Sequence, residues 1–147
     1  MAVGDNAIRC KTANFLEKEK FTLVNAIHPT AIINSEVSLG KNVTIAAGAI
    51  VCVHSIIEDN VIINTGAIVE HENVIKNGAF VAPGAKLAGR ITVGEKAFVG
   101  IGASVIQCLV VGKNSVIGAG SVVIKNIPSN VLVVGVPAKV IKKINHA

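Results

Sequence analysis

Residues 57–99 read IEDNVI-INTGAI-VEHENV-IKNGAF-VAPGAK-LAGRIT-VGEKAF-V when cut at every sixth residue. Each block opens on an aliphatic side chain: Ile57, Ile63, Val69, Ile75, Val81, Leu87, Val93, Val99. The step continues back through Val51, Ile45 and Leu39 to Ile33, and forward through Val105, Val111 and Ile117 to Val123. That makes sixteen consecutive aliphatic residues at period six, without an insertion. An amphipathic helix repeats near 3.6 residues and a half-buried strand at about two. Period six is that of a parallel β-helix built from hexapeptides. Three hexads close one triangular coil, and each aliphatic residue points into the prism and stacks on its counterpart one coil away. Sixteen hexads give five coils and one extra side.

The other positions of the hexad agree. Two residues before the aliphatic position stand small or branched side chains such as Ala31, Val43, Ser55, Val61, Ala67 and Ala85. The residue after it is often Gly or Ala (Gly40, Ala88, Gly94, Gly100), which suits corners where the backbone turns sharply. Composition has the same cause. Among 147 residues there are 23 Val and 20 Ile against 6 Leu, with no Trp or Tyr. Branched residues favour β structure, and large aromatics do not fit a narrow prism. Hydrophobic content of 51% excludes a disordered chain. No apolar run approaches the ~20 residues of a membrane span.

A solenoid needs capped ends. Asp5 or Asn6 is placed to cap a helix running to about Lys20, with Ile8, Phe15 and Leu16 on one side. Phe21 to Val24 reads as a short strand, and His28-Pro29 breaks the chain before the repeats. Pro128 ends the repeat, Val131 to Val134 form one more strand, and Gly135-Val136-Pro137 make a turn into a lysine-rich tail. The expected organisation is residues 1–26 before the prism, 27–127 as the β-helix, and 128–147 as a C-terminal strand and tail. Met1 to Asn6 do not read as a signal peptide. Cys10, Cys52 and Cys108 are an odd, widely spaced set, which fits a reducing cytoplasm and small side chains in the core.

Charge is unevenly placed. Residues 1–95 hold 8 basic and 9 acidic side chains, whereas residues 96–147 hold 6 Lys and no acid. A basic end suits an anionic partner. Without aromatic platforms or an Arg cluster, nucleic acid is a poor fit. A small phosphorylated ligand suits dispersed lysines better.

The ending Val134-Gly135-Val136-Pro137-Ala138-Lys139 and the period of six together resemble the hexapeptide-repeat acyltransferases, which have a left-handed β-helix and act as trimers with acetyl-CoA. The segment Asn64-Thr65-Gly66-Ala67-Ile68-Val69-Glu70-His71-Glu72 and the stretch Pro83 to Gly89 are similar to the subgroup that acetylates sialic acid or the amino group of nucleotide-linked sugars. The resemblance covers essentially the whole chain. Residues 1–26 resemble only the last strand, helix and strand of the small Rossmann-like sugar-binding domain that usually opens such chains. Phe80 stands where many relatives carry a second histidine, nine positions after His71.

A transfer from a thioester to an amine or hydroxyl needs a base, and neutral imidazole suits that work. Of four histidines, His28 precedes the repeats, His146 lies in the tail, His54 falls at a corner, and His71 has Glu70 and Glu72 as neighbours. The resemblance implies His71 as general base and Glu72 as its modulator. Adjacent residues of an extended segment face opposite ways, so Glu72 is expected to reach His71 only through its backbone neighbourhood or across subunits. The resemblance also implies the Gly89 amide as oxyanion donor, and a pantetheine arm passing Ile101 and Ala119 in the groove between prisms. It implies an adenine end near Gly135 and Pro137, with Lys125, Lys139, Lys142 and Lys143 toward the CoA phosphates. For the sugar it implies Asn64, with Asp5 and Asn6 left open between a nucleotide-sugar pocket and a plain helix cap.

The expected protein is therefore a cytoplasmic homotrimer with active sites at subunit interfaces, using acetyl-CoA and no metal to acetylate a sugar amine or hydroxyl. It engages neither nucleic acid nor membrane. Two alternatives stay open: a catalytically impaired or non-catalytic trimeric β-helix, and an acetyltransferase for another small acceptor such as serine. A zinc carbonic anhydrase on the same fold needs three histidines at one place, and only His54 and His71 are close in sequence.

Overall fold

Each hexad forms a two-residue strand followed by a turn. The computed structural model describes residues 3–144. The strands gather into three parallel sheets, one per prism side. The first holds Ala26–Ile27, Thr44–Ile45, Ile62–Ile63, Phe80–Val81, Phe98–Val99 and Val116–Ile117, extended by Val131–Gly135 and Ala138–Lys143. The second runs from Ile32–Ile33 through Ile68–Val69 to Val122–Val123, and the third from Ser38–Leu39 through Val74–Ile75 to Val110–Val111. Ile45 pairs with Ile63, Ile63 with Val81 and Val69 with Leu87, an offset of eighteen residues each time. From Ile45 to Val123 every aliphatic residue of the period is at most 2% exposed. The period therefore lines the prism axis.

The repeat runs further in both directions than the sequence suggests. Ala26–Ile27 already pairs with Thr44–Ile45, so the first coil begins before His28, and no strand forms over residues 21–25. Beyond Val123 the coil loses two residues: Ile127 bridges Val111, and Val133 stands on Ile117, sixteen positions back. Pro128 sits in that shortened coil. A hairpin then closes the end, with Gly135 opposite Ala138 and Leu132 opposite Lys142.

Nearly every corner places one residue in the left-handed conformation, and the three edges solve this differently. The edge between the first and second sheets uses Gly48, Gly66, Gly84, Gly102 and Gly120. The edge between the third and first sheets uses mostly asparagine: Asn42, Asn60, Gly78, Lys96, Asn114 and Asn130. Gly and Asn adopt this conformation at little cost. The edge between the second and third sheets uses His54, Glu72, Arg90 and Cys108, each at a cost of roughly 1–2 kcal/mol. Such strain tends to gather at functional sites.

The N-terminal helix, Asn6–Lys18, is capped by Asp5, whose carboxylate accepts from the Ile8 N–H at 2.8 Å. Its apolar side does not face the prism: Ile8 and Phe15 are 56% and 59% exposed. The packed side is Arg9, Cys10 and Ala13. Small side chains let the helix come close, with the Cys10 sulfur lying where a Cβ on Gly78 would be. Arg9 spans the gap, donating to the carbonyls of Asn60, Gly78 and Val3 and to Asn6 Oδ1 at 2.8–2.9 Å. Its guanidinium also sits over the Phe80 ring, which stacks on Phe98 at 5.0 Å. The two aromatics nearest the prism thus lie outside it, on the outer face of the first sheet. Of the cysteines only Cys10 is buried; Cys52 is half-buried and Cys108 exposed, because its turn projects the side chain outward.

Candidate active site

The turn after Val69 carries Glu70, His71 and Glu72, and the turn one coil on carries Ala88, Gly89 and Arg90. The coil offset of eighteen residues stacks these turns directly. His71 lies over Gly89: a Cβ added at Gly89 would be 2.4 Å from His71 Nε2. Only glycine lets the ring approach so closely. The Gly89 N–H finds no acceptor among the described residues, so it is available to a ligand beside the imidazole.

His71 Nδ1 is 2.9 Å from Glu72 Oε2 within the same chain. This corrects the expectation that alternation would turn Glu72 away. Glu72 has a φ of 57°, so the pair is not extended and the carboxylate swings back to the ring. An ionised carboxylate only accepts, so Nδ1–H donates and the neutral ring keeps its lone pair on Nε2, the nitrogen facing Gly89. Arg90 Nε stands 3.6 Å from the same Glu72 oxygen. The His71 side chain is 45% exposed, open enough to meet a substrate. One coil below, His54 pairs with Glu36 at 3.2 Å. Burial, together with the negative charge of the neighbouring Glu70 carboxylate, pushes the Cys52 thiol upward.

Beneath these turns lies a residue that the periodic pattern passes over. Asn73, fully buried, donates from Nδ2 to the carbonyls of Glu70 at 2.6 Å and Ala88 at 2.9 Å, and accepts the Ile91 N–H on Oδ1 at 2.7 Å. Its sequence signal is that it and Ser55 are polar in a file otherwise made of Val37, Ile91 and Leu109. Arg90 and Arg9 likewise draw no attention in the sequence, since single arginines on a polar surface are ordinary.

Apart from Lys125, the remaining predicted residues fall on three other parts of the molecule. Lys125 shares the His71 edge, two coils above Gly89. Asn64, Ile101 and Ala119 lie on the glycine edge, where Ile101 is exposed and its carbonyl accepts from Gly120 N at 2.8 Å. Asn64 borders a cavity of about 340 Å³ shared with Val3, Gly4, Ala26, Thr44, Ile62 and Phe80. Gly135, Pro137 and Lys139 belong to the closing hairpin, with Lys142 and Lys143 exposed on its second strand. Asp5 and Asn6 are engaged by the fold: Asp5 caps the helix, and Asn6 Nδ2 donates to Lys96 O at 3.0 Å. Within one chain, then, His71, Glu72 and Gly89 come together, while Asn64, Ile101 and Ala119 stand on a different edge. Phe80 sits under the helix and away from the His71 edge. His146 lies outside the described residues. No group of three His, Cys, Asp or Glu among the described residues could hold a metal ion, and no helix is long and apolar enough to cross a membrane.

Neither a family model nor a curated protein sequence matches the chain. Solved structures do. PerB from Caulobacter crescentus, in complex with CoA and GDP-perosamine, is 43% identical over 95% of this chain and 67% of that one, with a TM-score of 0.94. A histidine-to-alanine variant of GDP-perosamine N-acetyltransferase from the same organism, with the same two ligands, is 42% identical over 97% and 68%, with a TM-score of 0.95. The acetyltransferase domain of PglB from Neisseria gonorrhoeae, in complex with acetyl coenzyme A, is 35% identical over 95% and 68%, with a TM-score of 0.94.

Proposed function

The chain belongs to the hexapeptide-repeat, left-handed β-helix sugar N-acetyltransferases, and on that premise we propose that it transfers the acetyl group of acetyl-CoA to the amine of a nucleotide-linked amino sugar. It is an acyltransferase. The observation that carries the finer reading is the close approach of His71 Nε2 to Gly89, with Nδ1 held by Glu72.

Acetyl-CoA supplies a carbonyl carbon activated as a thioester. The acceptor nitrogen forms its bond to that carbon, and His71 Nε2 takes the proton the nitrogen loses. The Gly89 N–H donates to the carbonyl oxygen as negative charge builds there. The carbon–sulfur bond then breaks, and His71 returns the proton to the departing sulfur. Glu72 holds the ring in the tautomer this needs and stabilises its charged form.

The active unit in this proposal is a homotrimer. Asn64, Ile101 and Ala119 stand on a different edge from His71, so a site using all of them needs the edges of two prisms. Exposed Ile32, Ile56, Ile101 and Val110 give the outer faces apolar surface for such packing. The pantetheine arm follows Ile101 and Ala119, the adenine end meets Gly135 and Pro137, and Lys125, Lys139, Lys142 and Lys143 face the phosphates. The sugar lies toward Asn64 and the helix start at Asp5 and Asn6. Three free thiols suit a cytoplasmic setting.

The test is release of CoA thiol across a panel of amino sugars, free and nucleotide-linked, for wild type and His71→Ala. Loss of about 10²–10⁴-fold in kcat is expected for the variant. Equal rates would remove His71 from the chemistry, and a monomer by solution mass would remove the interface site.

A further inference from the structure

The amide that donates from Gly89 is one half of a peptide group, and the other half is the Ala88 carbonyl. Asn73 reaches that carbonyl from inside the prism, at 2.9 Å. In a trans peptide the C=O and N–H point in opposite directions. A bond that draws the Ala88 oxygen inward therefore aims the Gly89 N–H outward, toward the space beside His71. The same Asn73 nitrogen holds the Glu70 carbonyl, one residue before His71, at 2.6 Å. Its assignment is not ambiguous, since both nitrogen partners are carbonyls and the partner of Oδ1 is the Ile91 N–H.

From this geometry we infer that Asn73 is the positioning residue of the oxyanion donor, locking the Ala88–Gly89 peptide in register with the His71 turn. The inference rests on the acetyl-transfer function proposed above. A second effect acts in the same direction. A donor on the carbonyl polarises the peptide and makes its N–H a better donor, by about 10–30% in chained hydrogen bonds.

The fold itself supplies the control. Ser55 occupies the equivalent place one coil earlier, and its hydroxyl donates to the Glu70 carbonyl at 2.9 Å while accepting the Asn73 N–H. Ser115 repeats the arrangement near the far end, donating to the Pro128 carbonyl and accepting the Val131 N–H. Serine at this position thus reproduces both bonds that matter. Val37, Ile91 and Leu109 fill it with hydrocarbon in other coils, so an apolar side chain fits the space but leaves the peptide unheld.

The experiment compares wild type, Asn73→Ser and Asn73→Val in steady-state acetyl transfer, varying each substrate in turn, with thermal unfolding alongside. Removal of a whole oxyanion donor costs about 10²–10³-fold in kcat; loosening one is expected to cost about 10–10²-fold in Asn73→Val. The KM values for both substrates stay within about threefold, and Asn73→Ser stays within about threefold of wild type in kcat. If Asn73→Val does not fold, Asn73→Cys replaces it, with a side chain sized like serine but a weaker donor, and kcat is expected to fall below that of Asn73→Ser. Equal kcat for the serine and apolar or thiol variants overturns the inference while leaving the function standing. Parallel loss of kcat and folding in both variants also overturns it, since that is a purely structural role. No acetyl transfer by wild type to any amino sugar overturns the function, and this inference with it.

Discussion

Replacing Gly89 with alanine places the proposed site under a defined strain. The added methyl would lie 2.4 Å from His71 Nε2, 2.5 Å from Cε1 and 3.0 Å from Cδ2, where ordinary contacts begin at 3.4 Å. The ring must therefore retreat by about 1 Å or more. Gly89 is not one of the left-handed glycines, so alanine meets no backbone strain there. What it meets is the far end of a half-exposed side chain that can swing away. Stability should hold within about 0.5 kcal/mol, as for a surface change. Activity should not hold. A displacement of about 1 Å at a reacting group costs about 10²-fold, and the methyl also crowds the approach to the Gly89 N–H. The assay is CoA-thiol release at saturating substrates, paired with thermal unfolding followed by circular dichroism. A Gly89→Ala protein with kcat within threefold of wild type would refute the placement of the reaction between His71 and Gly89.

Two other outcomes separate structure from chemistry. Gly100→Ala presents its methyl to backbone, 2.4 Å from the Ile117 carbonyl oxygen. Backbone cannot swing aside, so this change should lower stability by about 1–3 kcal/mol, whereas a melting curve matching that of Gly89→Ala would contradict the distinction. Burial raises the Cys10 thiol above its ordinary value, against the pull of Arg9 and Lys96 and with a small push from Glu95. The unfolded thiol therefore ionises first, and stability that is full below about pH 8.5 falls as pH climbs beyond it. Denaturant unfolding at neutral and alkaline pH should show a smaller alkaline loss in Cys10→Ala than in wild type, and equal losses would rule out this thiol as a contributor.

The prism was legible because its physics is periodic. One aliphatic residue per hexad lines the axis, and nothing else in the chain competes with sixteen such positions in register. The ends were less legible. Ile127 and Val133 still stack, but two residues have dropped out before them, so a strict step of six loses the trail. The packed side of the helix was not legible, because Arg9 does there what apolar side chains usually do. A guanidinium satisfied by carbonyls can be buried as fully as leucine, and composition does not announce that. At the site, His71 and Gly89 were named by resemblance, and the coil offset is what turns their spacing into contact. Glu72 was misplaced because alternation holds only for extended backbone, and corners are not extended. Asn73 was visible, with Ser55, as a polar residue in an otherwise apolar file, but only its partners give that a meaning.

His71 and Gly89 are separated by one coil, so the gap between them is the spacing of neighbouring hydrogen-bonded strands, about 4.8 Å. That spacing belongs to the β-ladder and not to any side chain. The fold acts as a ruler whose divisions cannot be stretched. Variation among such chains can alter what stands at each mark, or lengthen the prism by whole turns elsewhere, but it cannot slide the backbone of the His71 turn toward or away from that of Gly89. Tuning is left to substituents around a fixed distance.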